Sequence, residues 1–96
     1  MTYSGISIVL VHGFFQDSRV FESVKNRFVS LGITVYTPDL PGFGTNNLLH
    51  SEPLSTQNQI SWFTDYISSL DTKKLLVCGY SMGARLVLQS MEKLQN

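Results

Sequence analysis

The chain has 96 residues, 43% of them hydrophobic, which suits one small domain and argues against disorder. Seven basic and seven acidic residues cancel without any basic run, so nothing in the charge pattern calls for nucleic acid or an anionic membrane surface. Cys78 is the single cysteine and rules out an intrachain disulfide, the longest apolar run (Ile8 to Val11) is far short of a membrane span, and Met1 to Gly5 lacks the marks of a signal peptide; together these point to a reducing, cytoplasmic setting.

Ile6 to Val11 is a nearly continuous apolar run rich in β-branched residues, ending at His12-Gly13, and predicts a strand buried on both faces. Val20, Phe21, Val24, Phe28 and Leu31 then recur at helical spacing, with Gly32 where a helix C-terminal glycine belongs. Ile33 to Thr37 predicts a second strand, stopped by Pro38. Residues 38 to 54 read as a long loop with three prolines and two glycines. Thr56 followed by Gln59 resembles a capping box and opens a helix burying Ile60, Phe63, Ile67 and Leu70, with Trp62 and Tyr66 packing it against the sheet or at its rim. Leu75 to Cys78 predicts a third strand, with Cys78 as apolar filler. From Gly83 on, Ala84, Val87, Leu88 and Met91 fall on one face of a last helix.

The order β-α-β-α-β-α predicts an α/β fold, a parallel sheet with flanking helices joined by right-handed crossovers. Ligands of such sheets gather beyond the carboxyl ends of the strands. There Gly79-Tyr80-Ser81-Met82-Gly83 matches G-x-S-x-G. A strand must turn sharply into a helix, with one residue strained at the apex and its hydroxyl lifted clear of the sheet. Glycine at 79 and 83 avoids a Cβ clash across that turn. Ser81 is therefore the candidate nucleophile. The Met82 N–H at the helix start faces any oxyanion formed there. The Phe14 N–H, after His12-Gly13, is the candidate second donor, with Gly13 letting the backbone pass close and His12 bracing the loop.

These residues resemble the α/β-hydrolase family. His12-Gly13-Phe14 is similar to its oxyanion turn, Asp39-Leu40-Pro41-Gly42-Phe43-Gly44 to its D-x-P-G-x-G loop, and Gly79 to Gly83 to its nucleophile elbow. Within the family, Gly79 to Arg85 most resembles the MenH-like branch of small bacterial enzymes. That likeness implies a lyase acting on a carboxylate-bearing substrate, with Arg85 as a candidate contact. The family places its acid and histidine after Ser81, in that chain order. Residues 1–96 are thus expected to be a partial α/β-hydrolase domain, without the later strands, the cap, and the triad acid and histidine.

His12 and His50 both precede Ser81. A makeshift Ser81-His50-Glu52 arrangement would need a flexible loop to hold a base within hydrogen-bond reach, so His50 reads as solvated and Asp39 as capping its own loop. Neither a P-loop nor a G-x-G-x-x-G pattern occurs, and no metal or organic cofactor is expected. The resemblance implies a small-molecule ester, thioester or amide substrate for the complete protein, and little activity for the 96 residues alone. The competing class is a short non-catalytic protein that binds a partner, or itself, through an open sheet edge.

Overall fold

The computed structural model describes residues 5–14, 16–46 and 55–94. Three strands, β1 (Ile6–Val11), β2 (Thr34–Tyr36) and β3 (Lys74–Gly79), form one parallel sheet in the order β2-β1-β3. A short 3-10 turn (Ser18–Phe21) leads into α1 (Glu22–Ser30) between β1 and β2. α2 (Thr56–Ser68) connects β2 to β3, and α3 (Met82–Leu94) follows β3.

The central position of β1 explains its composition. Val9 and Val11 point to one face, into a core with Leu40, Ile60, Phe63 and Leu86. Ile8 and Leu10 point to the other, with Val35, Phe21 and Phe28. A strand covered on both faces needs an apolar residue at nearly every position. The β1-to-β2 and β2-to-β3 connections run in opposite directions across the sheet. Right-handed crossovers then require their helices on opposite faces, and α1 packs on one while α2 packs with α3 on the other.

Two sequence expectations, the Thr56 cap and a buried Cys78, are corrected by this packing, and two apolar helix faces lie partly outside the core. Among the described residues of α1 none is buried, and Val20, Val24 and Leu31 are exposed. Only a narrow stripe, Phe21 and Phe28 seven residues apart, reaches the sheet. α2 is capped by Ser55 rather than Thr56, its hydroxyl accepting from the Asn58 N–H at 3.1 Å. Cys78 is exposed and not core filler. It shares with Leu76 the face of β3 that α1, centred on β1 and β2, does not reach. Finally, α3 buries Gly83, Leu86 and Ser90, while Leu88 is 73% exposed and Met91 is also exposed. The elbow pins Gly83 against β1 and so sets the rotation of the whole helix. The expected α2 core is present: Ile60 and Phe63 are buried, Ile67 and Leu70 pack beside them, and Trp62 stacks on Tyr66 at 5.4 Å against the same cluster.

Candidate active site

The direction of chain connection reverses at β1 and β3. Such a switch point leaves a crevice beyond the strand ends. Both sequence motifs meet there. The Tyr80 N–H donates to the Val11 carbonyl at 2.9 Å, extending the β1–β3 pairing past Val11 opposite Gly79. This stitches the start of the His12-Gly13-Phe14 turn to the residue before Ser81.

Ser81 is exposed and has φ +56°, the one positive φ outside glycine among the described residues. A left-handed serine persists only where its surroundings over-determine it. Here they do. A Cβ on Gly83 would collide with the carbonyl oxygen of Val11 and come within 2.5 Å of that of His12. One on Gly79 would lie 2.5 Å from the Ala84 Cα. The Gly83 N–H closes the turn on the Tyr80 carbonyl at 2.9 Å.

His12 is fully buried, and both its ring nitrogens are engaged. Nε2 accepts from the Leu40 N–H at 3.0 Å, so Nδ1 carries the proton and donates to the Gly13 carbonyl at 2.9 Å. Its ring also meets Phe43 edge-on at 5.5 Å, and Phe43 meets Phe14 at 5.8 Å. Both nitrogens being committed to backbone, His12 is a brace between two loops.

Asp39 ties the same loops from outside. Its carboxylate accepts from the Ser18 N–H at 2.7 Å, the Thr45 N–H at 2.9 Å and the Thr45 hydroxyl at 2.8 Å. Burial pushes its pKa up, but these hydrogen bonds outweigh that, and the net shift is downward. Asp17 caps the 3-10 turn and pairs with Arg19, whose side-chain hydrogen bonds hold the Asp17 carboxyl down to about 2.

Phe14, Ser81, Met82 and Arg85 line an open hollow of about 500 Å³. A cleft of about 140 Å³ adjoins it across Met82 and Arg85, reaching Thr56 and Gln59 at the start of α2. The structure thus gathers Ser81, Met82, Phe14 and Arg85 around one space, with His12, Gly13, Gly79 and Gly83 behind it. His50 and Glu52 lie outside the described residues. Among the described residues no cluster of three or more His, Cys, Asp or Glu could hold a metal, and no helix is long and apolar enough to cross a membrane. Sequence reasoning missed Gln16, whose side chain folds back onto Gly13. The available signal was a long amide three residues after a glycine in a tight turn.

A parallel sheet with a hollow at its switch point, and a strained serine between strand and helix, define the α/β-hydrolase architecture. A sequence model of the alpha/beta hydrolase family matches residues 8–94, and the chain belongs to that family. It is 31% identical over 90 residues to ethanol acetyltransferase 1 of Wickerhamomyces anomalus, covering 93% of this chain and 22% of that protein. It is 28% identical over 86 residues to an uncharacterized protein of Mycobacterium tuberculosis, covering 90% of this chain and 25% of that one. An extracellular α/β-hydrolase from a Paenibacillus species superposes with a TM-score of 0.80 at 23% identity, over 94% of this chain and 36% of that chain. The chain therefore spans about a quarter of the length of these curated relatives.

Proposed function

We propose that the protein is a serine hydrolase in which Ser81 attacks the carbonyl carbon of an ester, thioester or amide-type small-molecule substrate. The observation that carries this reading is the left-handed Ser81, held at the apex of the elbow and open to the hollow it shares with Phe14 and Met82. Attack turns the carbonyl oxygen into an oxyanion, and the N–H groups of Met82 and Phe14 are its donors. The α3 N-terminus adds its positive end. The serine proton needs a base, held in turn by an acid. His12 is committed to Leu40 and Gly13, so that base comes from outside the described residues.

A fluorophosphonate probe tests the reading. Labelling of the protein as its gene encodes it, abolished in Ser81→Ala, supports it. A folded protein that never labels sinks it and favours a non-catalytic binding role.

A second reading concerns the substrate. Arg85 borders the Ser81 hollow, and no carboxylate among the described residues pairs with it. That favours a substrate bearing a carboxylate, in line with the lyase-like resemblance. Arg85→Ala should then raise KM for anionic substrates and leave neutral esters unaffected. An equal effect on both would remove Arg85 from this role.

A further inference from the structure

We propose that Gln16 is a positioning residue for the oxyanion donors, fixing through Gly13 the direction in which the Phe14 N–H points. The inference rests on the serine-nucleophile reading above.

Gln16 holds Gly13 twice. Its side-chain Oε1 accepts from the Gly13 N–H at 2.9 Å, and its own N–H donates to the Gly13 carbonyl at 3.2 Å. That carbonyl also accepts from His12 Nδ1 at 2.9 Å. The bonds fall on different peptide planes. The Gly13 N–H belongs to the His12–Gly13 peptide. The Gly13 carbonyl belongs to the Gly13–Phe14 peptide, whose other polar group is the Phe14 N–H. In a trans peptide the carbonyl and N–H point in opposite directions. Holding the Gly13 carbonyl therefore aims the Phe14 N–H the other way.

Glycine has the freest backbone of any residue, so both planes could turn if left untied. The tie on the first plane is the Gln16 side chain, which also occupies the Gly13 N–H and removes it from competition as an oxyanion donor. Space around Gly13 is tight too. A Cβ on Gly13 would lie 3.2 Å from Ser81 Cβ and 3.2 Å from the Tyr80 carbonyl oxygen. Gln16 Oε1 lies 3.1 Å from that same position, so the Gln16 amide and the elbow both crowd Gly13.

The chemistry demands an acceptor at the end of a side chain of this length. Glutamate keeps one; methionine keeps the length and loses it. The test compares Gln16→Met, Gln16→Glu and Ser81→Ala with wild type in the gene-encoded protein. It reads kcat and KM on p-nitrophenyl butyrate, and amide hydrogen exchange at Gly13. Expected for Gln16→Met is a fall in kcat of roughly 10- to 100-fold with KM within about twofold, smaller than the roughly 100- to 1,000-fold cost of deleting an oxyanion donor. Gln16→Glu should restore most of the rate. Gly13 exchange should quicken in Gln16→Met and not in Gln16→Glu. Wild-type kcat in Gln16→Met, a Gln16→Glu no better than Gln16→Met, or unchanged Gly13 exchange would each overturn the inference, even with Ser81→Ala inactive. A Ser81→Ala variant as fast as wild type would instead overturn the nucleophile reading itself, whereas Gly13 exchange would still report on the clamp.

Discussion

The Leu40 N–H donates to Nε2 of His12 at 3.0 Å, joining the first strand end to the loop 28 residues further on. Both groups are buried, so removing the imidazole strands the amide. His12→Ala should cost about 1–3 kcal/mol for the unpaired N–H alone, with the packing against Phe43 lost in addition. His12→Gln, which keeps an acceptor, should recover part of this in urea unfolding. Equal midpoints for wild type and His12→Ala would refute the brace.

The strain at Ser81 predicts an inversion of the usual glycine effect. A non-glycine residue in the left-handed region costs about 1–3 kcal/mol. Ser81→Gly should therefore be more stable than Ser81→Ala by about 1 kcal/mol, although glycine adds freedom to the unfolded chain. Thermal melts of the two variants decide it. If Ser81→Ala melts higher, the surroundings do not impose the strain.

Gly83→Ala drives a methyl group into the carbonyl oxygens of Val11 and His12. Both are backbone atoms, of the last residue of β1 and the one after it, and cannot swing aside. Overpacking of this kind costs about 1–3 kcal/mol or more. The displaced peptides also lead into the His12-Gly13-Phe14 turn, so on the proposed mechanism fluorophosphonate labelling should slow with the loss of stability. Unchanged labelling in a stable Gly83→Ala protein would contradict the close approach.

Acid should loosen the site's outer ties. The pKa values of Asp39 and Asp17 are lowered in the folded state, that of Asp17 to about 2. A carboxylate depressed by folding adds stability above its unfolded pKa of about 3.9, and that stability is lost as pH falls through the folded value. The contribution should be whole at neutral pH and drain away below about pH 4. Asp39→Asn should flatten the acid limb of the stability curve. A limb of the same steepness in Asp39→Asn would show that its hydrogen bonds carry no such linkage.

Ser90 is fully buried on α3, and its hydroxyl has no partner among the described residues. A buried polar group without a bond destabilises. Ser90→Ala should be neutral or stabilising by chemical denaturation. A loss above about 1 kcal/mol would mean the hydroxyl has an acceptor after all.

Much of this molecule was legible because local chemistry and tertiary packing agree. β1 is central, so its apolar run is continuous and its bounds are those read from sequence. The elbow was legible because Gly79 and Gly83 are demanded by a close approach that few other arrangements need. The failures arose where distant contacts decide. Leu88 and Met91 are more apolar than Gly83 and Ser90, yet Gly83 faces the sheet because the turn at Ser81 leaves no other rotation. Cys78 alternates onto a face whose covering depends on where α1 lies, which residue spacing along β3 does not encode. The Gln16 clamp was hidden for a similar reason: a glutamine in a polar turn looks like any other until its oxygen is placed on Gly13.

The pairing of Val11 with Gly79 makes the distance between Ser81 and the His12-Gly13-Phe14 turn a matter of counting residues. Inserting or deleting one residue in either strand would shift one motif past the other by about 3.3 Å and turn alternate side chains to the opposite face. Length changes in the two strands should therefore be far scarcer among natural homologues than changes of residue type. The surface connections around them can lengthen or shorten without disturbing that count, which leaves them the natural place for relatives of different length to have diverged.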